Sequence, residues 1–201
     1  MVATLLPRLQ GYRIVLASNS PRRRELLAGL GLQFEVRVLP HISECFPQDL
    51  PTEQVAEFIA REKAAAYQPL IQPRELVITA DTTVVVDGHV LGKPADAADA
   101  RRMLRLISGR QHQVITGVCL TTSGVQRSFS AITSVTFKPL SDAEISFYID
   151  TFHPFDKAGA YGIQEWIGYV GVTRLEGSYF NVMGLPVQRI YTELQQLSLS
   201  L

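Results

Sequence analysis

Residues 75–87 (Glu-Leu-Val-Ile-Thr-Ala-Asp-Thr-Thr-Val-Val-Val-Asp) hold two unbroken apolar triplets, Leu76 to Ile78 and Val84 to Val86, around one acid, Asp81. A strand with one wet face alternates apolar and polar residues. A strand apolar at consecutive positions is covered on both faces. The run predicts a strand with layers packed on either side of it. Burying a lone carboxylate there is unfavourable. Asp81 is therefore paired to a basic group, holds a cation, or is satisfied by local backbone N–H groups. Asp87-Gly88 is a hairpin signal, and Val90 and Leu91 begin the return.

Residues 12–17 (Tyr-Arg-Ile-Val-Leu-Ala) read as a short strand that Ser18 to Ser20 interrupt. Ser20 suits a helix N-cap, and Pro21 suits the first helical position because its missing N–H would be unpaired there anyway. Leu26, Leu27 and Leu30 give the helix an apolar face, and Gly31 can end it. A strand that passes through serines into a helix N-terminus presents unpaired N–H groups to an anion. Arg22 and Arg23 stand in the first turn, where the macrodipole disfavours cations. A bound polyphosphate accounts for them, since guanidinium forks match phosphate oxygens. Solvated surface arginines are the plainer account.

Further on, Phe34 to Val38 alternates as a strand, and Pro40 to Pro51 is a loop holding Glu44 and Asp49. Thr52 is positioned to cap a helix of about four turns with Val55, Phe58 and Ile59 on one face. Lys63 lies near the edge of that face. Asp96 to Ser108 reads as a helix, and His112 to Thr121 with Phe129 to Phe137 as an antiparallel pair. Ser141 and Glu144 fit a capping box. Lys157 to Gln164 is a glycine-rich loop where something approaches the backbone closely. Trp166 to Val172 reads as a strand, and Gly184-Leu185-Pro186 starts the last helix. The order implies an α/β fold, one mixed, twisted sheet flanked by helices.

A chain of 201 residues suffices for one large domain or two small lobes. Lys plus Arg and Asp plus Glu are 19 each, so no global field draws it to nucleic acid or anionic lipid. Cys45 and Cys119 suggest neither a disulfide framework nor a zinc site, and the four histidines lack metal-ligand spacing. No apolar run has membrane-spanning length and the start lacks signal-peptide order, so a cytoplasmic protein with no membrane partner is expected. With Glu44 as a second oxygen ligand, Asp81 suits Mg²⁺ or Mn²⁺; Glu44 alone reads equally as a solvated loop acid. Gly88-x-x-x-Gly92-Lys93-Pro94 fails as a phosphate loop, because its glycine spacing is one short and proline stands at the metal-ligating hydroxyl. On pattern alone Lys93 and Lys63 are surface lysines. The residues thus point to a phosphate ester or anhydride substrate without naming the bond.

Several ordered motifs resemble the Maf family of nucleoside triphosphate pyrophosphatases. They are Leu16-Ala17-Ser18-Asn19-Ser20-Pro21-Arg22-Arg23, Arg61-Glu62-Lys63-Ala64, Ala80-Asp81-Thr82 and Gly92-Lys93-Pro94. Ser108 to His112, Thr116-Gly117-Val118, Lys157 to Gln164, Gly177-Ser178-Tyr179 and Gly184-Leu185-Pro186 continue the match. The resemblance implies a single domain over residues 1–201 with its core at about 12–195. It implies an elongated, strongly twisted mixed sheet, inosine triphosphatase-like, with two lobes and a cleft. It also implies metal-dependent hydrolysis between the α- and β-phosphates, in a house-cleaning role, by a homodimer.

By the same resemblance Asp81 is the catalytic acid and, with Glu44, a metal ligand; Ser18, Ser20, Arg22, Arg23, Lys63 and Lys93 bind phosphate. Arg22, Thr82 and Gln164 resemble the set of the branch that prefers dTTP and UTP. A glutamine amide can pair with O4 and N3–H of uracil or thymine, including modified pyrimidines. Asn19 and Glu165-Trp166 depart from the family pattern, and Trp166 is expected to pack rather than stack on a base. The rival reading is a nucleotide-binding regulator of cell division and septum formation. A phosphatase releasing one phosphate at a time is a third.

Overall fold

In the computed structural model, which describes residues 6–197, the apolar run forms strand β3 (Glu75–Val86). It is buried at every position except the half-buried Thr82. Strand β1 (Arg13–Leu16) lies parallel to its first part, with Arg13 opposite Glu75 and Leu16 opposite Ile78. Strand β2 (Glu35–Val36) lies parallel to β1. Strand β4 (His89–Leu91) returns antiparallel along the end of β3, with Val86 opposite His89. Asp87 and Gly88 between them have φ of 48° and 75°, the pair of positive values that a tight hairpin turn requires. Strands β5 (Gln111–Thr121), β6 (Gln126–Phe137) and β7 (Val172–Glu176) complete a seven-stranded sheet of the described residues. Its order is β2-β1-β3-β5-β6-β7, with β4 beside β3. The helices are α1 (Pro21–Gly29), α2 (Val55–Tyr67), α3 (Ala97–Ile107), α4 (Asp142–Phe152), α5 (Trp166–Gly171), α6 (Tyr179–Met183) and α7 (Val187–Gln196). Parallel and antiparallel pairs together make the mixed sheet of the α/β class.

The chain divides into two compact units. One takes the described residues up to Asp81, Thr116–Ala131 and those from Gly184 onward; the other takes Thr82–Ile115 and Ile132–Met183. In the first, α2 lies against β5 at backbone distance. A Cβ on Gly117 would stand 2.3 Å from the carbonyl carbon and oxygen of Ala56 and from the nitrogen of Glu57. Two residues along the strand, Cys119 packs on Ala60 and Ala64. Small residues four apart on the helix therefore meet small residues two apart on the strand, which matches the two periodicities. In the second, Val84, Leu104, Phe137, Tyr148 and Ile149 centre a larger apolar core. Gly159, at φ 67°, sits where a Cβ would come within 2.9 Å of the Val84 side chain. Hence the glycine-rich loop is approached closely by the protein's own strand.

Three expectations are revised. Trp166 to Val172 is not one strand: α5 runs to Gly171 and β7 starts at Val172. A Cβ on Gly168 would stand 1.8 Å from the Ile163 carbonyl oxygen, so the short helix curls over that carbonyl where only glycine fits. Trp166 packs edge-on against Phe147, centroids 4.8 Å apart, as expected. The strand expected over Phe34 to Val38 is reduced to Glu35 and Val36. The Tyr67 hydroxyl takes over next to it, accepting from Leu39 N–H at 2.9 Å and donating to the Arg37 carbonyl at 2.8 Å. Thr52 heads a single 3₁₀ turn (Thr52–Gln54), and α2 begins at Val55 with no side-chain cap. By contrast, the Ser141–Glu144 capping box of α4 forms as expected.

Gly117→Ala should displace α2, because backbone atoms at 2.3 Å cannot rotate away. The expected loss is about 3 kcal/mol, a fall in Tm of about 10 °C. An unchanged thermal transition would show that α2 does not depend on this contact.

Candidate active site

The parallel register aligns Leu16 with Ile78, so the chain leaving β1 runs level with Thr79 to Asp81. The Ala17 N–H extends the ladder to the Ile78 carbonyl at 2.9 Å. The serines then turn the chain into α1. The Ser18 hydroxyl accepts from Ser20 N–H at 3.2 Å, and the Ser20 hydroxyl accepts from Arg23 N–H at 3.3 Å with Pro21 opening the helix. Ser18 itself is buried.

The Arg23 side chain turns inward. Its Nε donates to the Gly184 carbonyl at 2.8 Å and its Nη1 to the Ala80 carbonyl at 2.8 Å. One guanidinium thus ties the first turn of α1 to β3 just before Asp81 and to the chain that enters α7. Burial pulls its pKa below the usual range; the Asp81 carboxylate opposes that shift, Arg22 adds to it and Glu44 opposes it. Arg24 donates to the Asn19 carbonyl at 3.1 Å. Arg23 and Arg24 both spend donors on backbone carbonyls.

Asp81 is 9% exposed and has a basic partner. Lys63 Nζ stands 2.7 Å from Asp81 Oδ1 and 2.7 Å from Glu44 Oε1. The pairing follows from how α2 meets β3. The Thr79 hydroxyl donates to the Ala60 carbonyl at 2.7 Å. Asp81 is the next residue on that strand face, and Lys63 is three residues on from Ala60, about one helical turn. The helix edge that pattern reads as surface is enclosed here, leaving the Lys63 side chain 13% exposed. Glu44 reaches in from its loop and remains half exposed.

Two carboxylate oxygens converging on one cationic point are hard donors of the kind that hold Mg²⁺, which takes one or two carboxylates and keeps water on its other positions. The residues fit such an ion. No closed cage is built around it: among the described residues no group of three His, Cys, Asp or Glu gathers.

Arg22, in the first turn of α1, belongs to the first unit, whereas Thr82, Lys93 and Gln164 belong to the second. Thr82 follows Asp81 on β3 and points to the opposite face, and Lys93 follows β4. Gln164 lies in the tight turn after the glycine-rich loop, where Glu165 N–H returns to the Gly162 carbonyl at 3.0 Å. Its Oε1 is buried without a hydrogen-bond partner in the protein. Around it stands a set that sequence reasoning did not assign. Lys157, 8% exposed, bonds Asp156 at 2.7 Å and Glu165 at 3.1 Å. The Tyr148 hydroxyl donates to Glu165 and accepts from Gly162 N–H at 3.0 Å. Burial first, and the Glu165 carboxylate next, push the Tyr148 pKa well above its ordinary value, so it stays a neutral donor. The only sequence signal was the acid Glu165 where the family pattern has glycine-rich chain.

In this mixed α/β protein a lysine shared by two acids thus lies in the same unit as a serine-arginine helix start. Residues 13–197 match the family described as Maf, Maf-like protein, and the chain belongs to the Maf family. The dTTP/UTP pyrophosphatase of Phocaeicola vulgatus is 62% identical over 193 residues, covering 96% of this chain and 100% of that protein. The dTTP/UTP pyrophosphatase of Bacteroides fragilis is 58% identical over 193 residues, with the same coverage. Among solved structures, a HAM1 protein from Coxiella burnetii aligns at 15% identity with a TM-score of 0.47, over 92% of this chain and 100% of that one. No helix among the described residues is long and apolar enough to cross a membrane.

Arg23→Met should leave the Ala80 and Gly184 carbonyls without their donor and cost about 2–4 kcal/mol in urea unfolding. Arg23→Lys should recover little of it, because one ammonium cannot reproduce the fork. Equal stability of all three proteins would show that the tie contributes nothing.

Proposed function

We propose that the protein is a nucleoside triphosphate pyrophosphatase that hydrolyses dTTP and UTP, releasing the monophosphate and pyrophosphate. The observation that carries the reading is the convergence of Asp81 and Glu44 on Lys63, beside the Arg23 that stitches β3 to the start of α1. The relatives named dTTP/UTP pyrophosphatase, at 62% and 58% identity over nearly the whole chain, support the choice of substrate.

The chemistry follows from the charges. A triphosphate brings several negative charges, and its cleavage leaves more charge on the departing pyrophosphate. Arg22, Lys63 and Lys93, with the N–H groups and hydroxyls around Ser18 and Ser20, offset it, and preorganised donors act most strongly where charge develops. Arg23 positions this set through its carbonyl bonds and adds positive charge. Asp81 takes the proton of the attacking water as the anhydride bond breaks. Asp81 and Glu44 would hold a Mg²⁺ or Mn²⁺ ion, which would lower the pKa of water and screen the phosphate oxygens. Arg22, Thr82 and Gln164 select the base. The resemblance to the family also supports a homodimer working in the cytoplasm, and light scattering of the purified protein checks the dimer.

Asp81→Asn keeps the shape of the side chain and removes its charge. It should lower kcat for UTP by about 10²–10⁴-fold with an unchanged circular dichroism spectrum. Chelation of divalent metal should stop pyrophosphate release, and added Mg²⁺ or Mn²⁺ should restore it. A wild-type rate no higher than that of Asp81→Asn would favour a nucleotide-binding regulator. Orthophosphate without pyrophosphate would point to a stepwise phosphatase.

A further inference from the structure

Glu44 comes to the catalytic cluster from a loop. Among the described residues no helix or strand lies between Val36 and the turn at Thr52, and the Glu44 side chain is 47% exposed where it meets Lys63. An ion pair that open to water holds a chain weakly. A loop carboxylate that is to meet one cation at one point therefore needs its loop fixed by something else.

Tyr67 fixes it from α2. The phenol hydroxyl accepts from Leu39 N–H at 2.9 Å and donates to the Arg37 carbonyl at 2.8 Å, so it pairs two main-chain groups at the root of the loop. Burial raises the Tyr67 pKa, which keeps the donor proton in place. The residue is 1% exposed. It packs with Val15 of β1 and Val77 of β3, and Leu39 and Ile42 of the loop lie against that cluster. Between those two the chain turns, with His41 at φ 58°. Arg37 is held in its own right: its N–H donates to the Leu16 carbonyl at 3.1 Å, and its fork bonds Glu75 at 2.9 and 2.8 Å. Lys63 and Tyr67 stand four residues apart on α2, the spacing of neighbours on one helix face. That face meets the loop twice, Lys63 at the Glu44 carboxylate and Tyr67 at the main chain of residues 37–39.

We propose that Tyr67 is a positioning residue for the Asp81–Glu44–Lys63 cluster: its hydroxyl fixes the root of the loop against α2, so that the Glu44 carboxylate is presented beside Asp81 to a divalent cation. The proposal rests on the reading of Glu44 and Asp81 as ligands of that ion. It adds what the reading lacks, a reason for an acid on an irregular loop to arrive at one place. It also gives a purpose to a phenol buried among valines, where a phenylalanine would fill the same space.

The test uses Mn²⁺ and two readouts. One is the Kd for Mn²⁺ of the protein alone, from the free-ion EPR signal. The other is the Mn²⁺ concentration that gives half-maximal UTP hydrolysis. Tyr67→Phe keeps the ring and removes both hydrogen bonds, and should raise both quantities about tenfold, with kcat at saturating Mn²⁺ changed far less. Ile42→Ala loosens the same loop on the Tyr67 ring. It should act in the same direction, and it stands in if Tyr67→Phe does not fold. Glu44→Gln should raise both quantities, and Tyr67→Phe should add nothing in that background. General damage to the fold would lower the active fraction at every Mn²⁺ concentration and leave the half-saturating value in place. Values unchanged in Tyr67→Phe and Ile42→Ala while Glu44→Gln raises them overturn the positioning claim alone, as does an equal rise from Tyr67→Phe with and without Glu44. No Mn²⁺ bound by the wild type, or binding unchanged in Glu44→Gln, refutes Glu44 as a ligand and the claim built on it.

Discussion

The candidate catalytic cluster depends on how close α2 comes to the sheet. Gly117 of β5 against Ala56 holds α2 at backbone distance from the sheet, which fixes where the stem of Lys63 begins, and its ammonium stands 2.7 Å from Asp81 on β3. The Thr79–Ala60 bond then sets the register along the strand. Neither contact touches the reacting groups. Both are needed because a long flexible side chain such as Lys63 reaches many places, and only a fixed stem makes one of them dominant.

Charge is arranged with the same economy of parts. Lys63 is shared by two carboxylates, while Arg23 faces carbonyl oxygens that need no counter-ion. Cations, carbonyls and shared acids are thus interleaved near the start of α1. The balanced net charge of the chain agrees, because it leaves the local arrangement to supply the field.

Much of this was legible in the residue order. The apolar triplets around Asp81 predicted a doubly covered strand, and Ser20 with Pro21 predicted the start of α1; both are local patterns with a physical cause that neighbours rarely override. The Asp87-Gly88 turn and the Ser141–Glu144 box are of the same kind. What pattern misread was tertiary. Lys63 looks exposed on a helical wheel, but Glu44 closes over it from a loop 19 residues earlier in the chain. Residues 166–172 looked like a strand because a short apolar run does not distinguish strand from helix, and the close approach at Gly168 decides it. For Arg23, read as an anion ligand on the macrodipole argument, the structure adds long-range carbonyl partners to that reading. Part of its placement is met by Ala80 and Gly184, carbonyls 57 and 161 residues away, which no local rule could supply.

The glycine-rich loop shows why composition alone misleads about purpose. Glycines in such a loop suggest a ligand approaching the backbone, yet at Gly159 the visitor is Val84 and at Gly162 it is the side chains of Lys157, Gln164 and Glu165. Missing Cβ atoms here make room for the protein to pack on itself. The consequence is one of order: side chains pressed onto a bare α-carbon have fewer orientations than in open solvent. A side chain at Gly162 would push on Lys157, Gln164 and Glu165 together, so one motif glycine constrains three side chains at once.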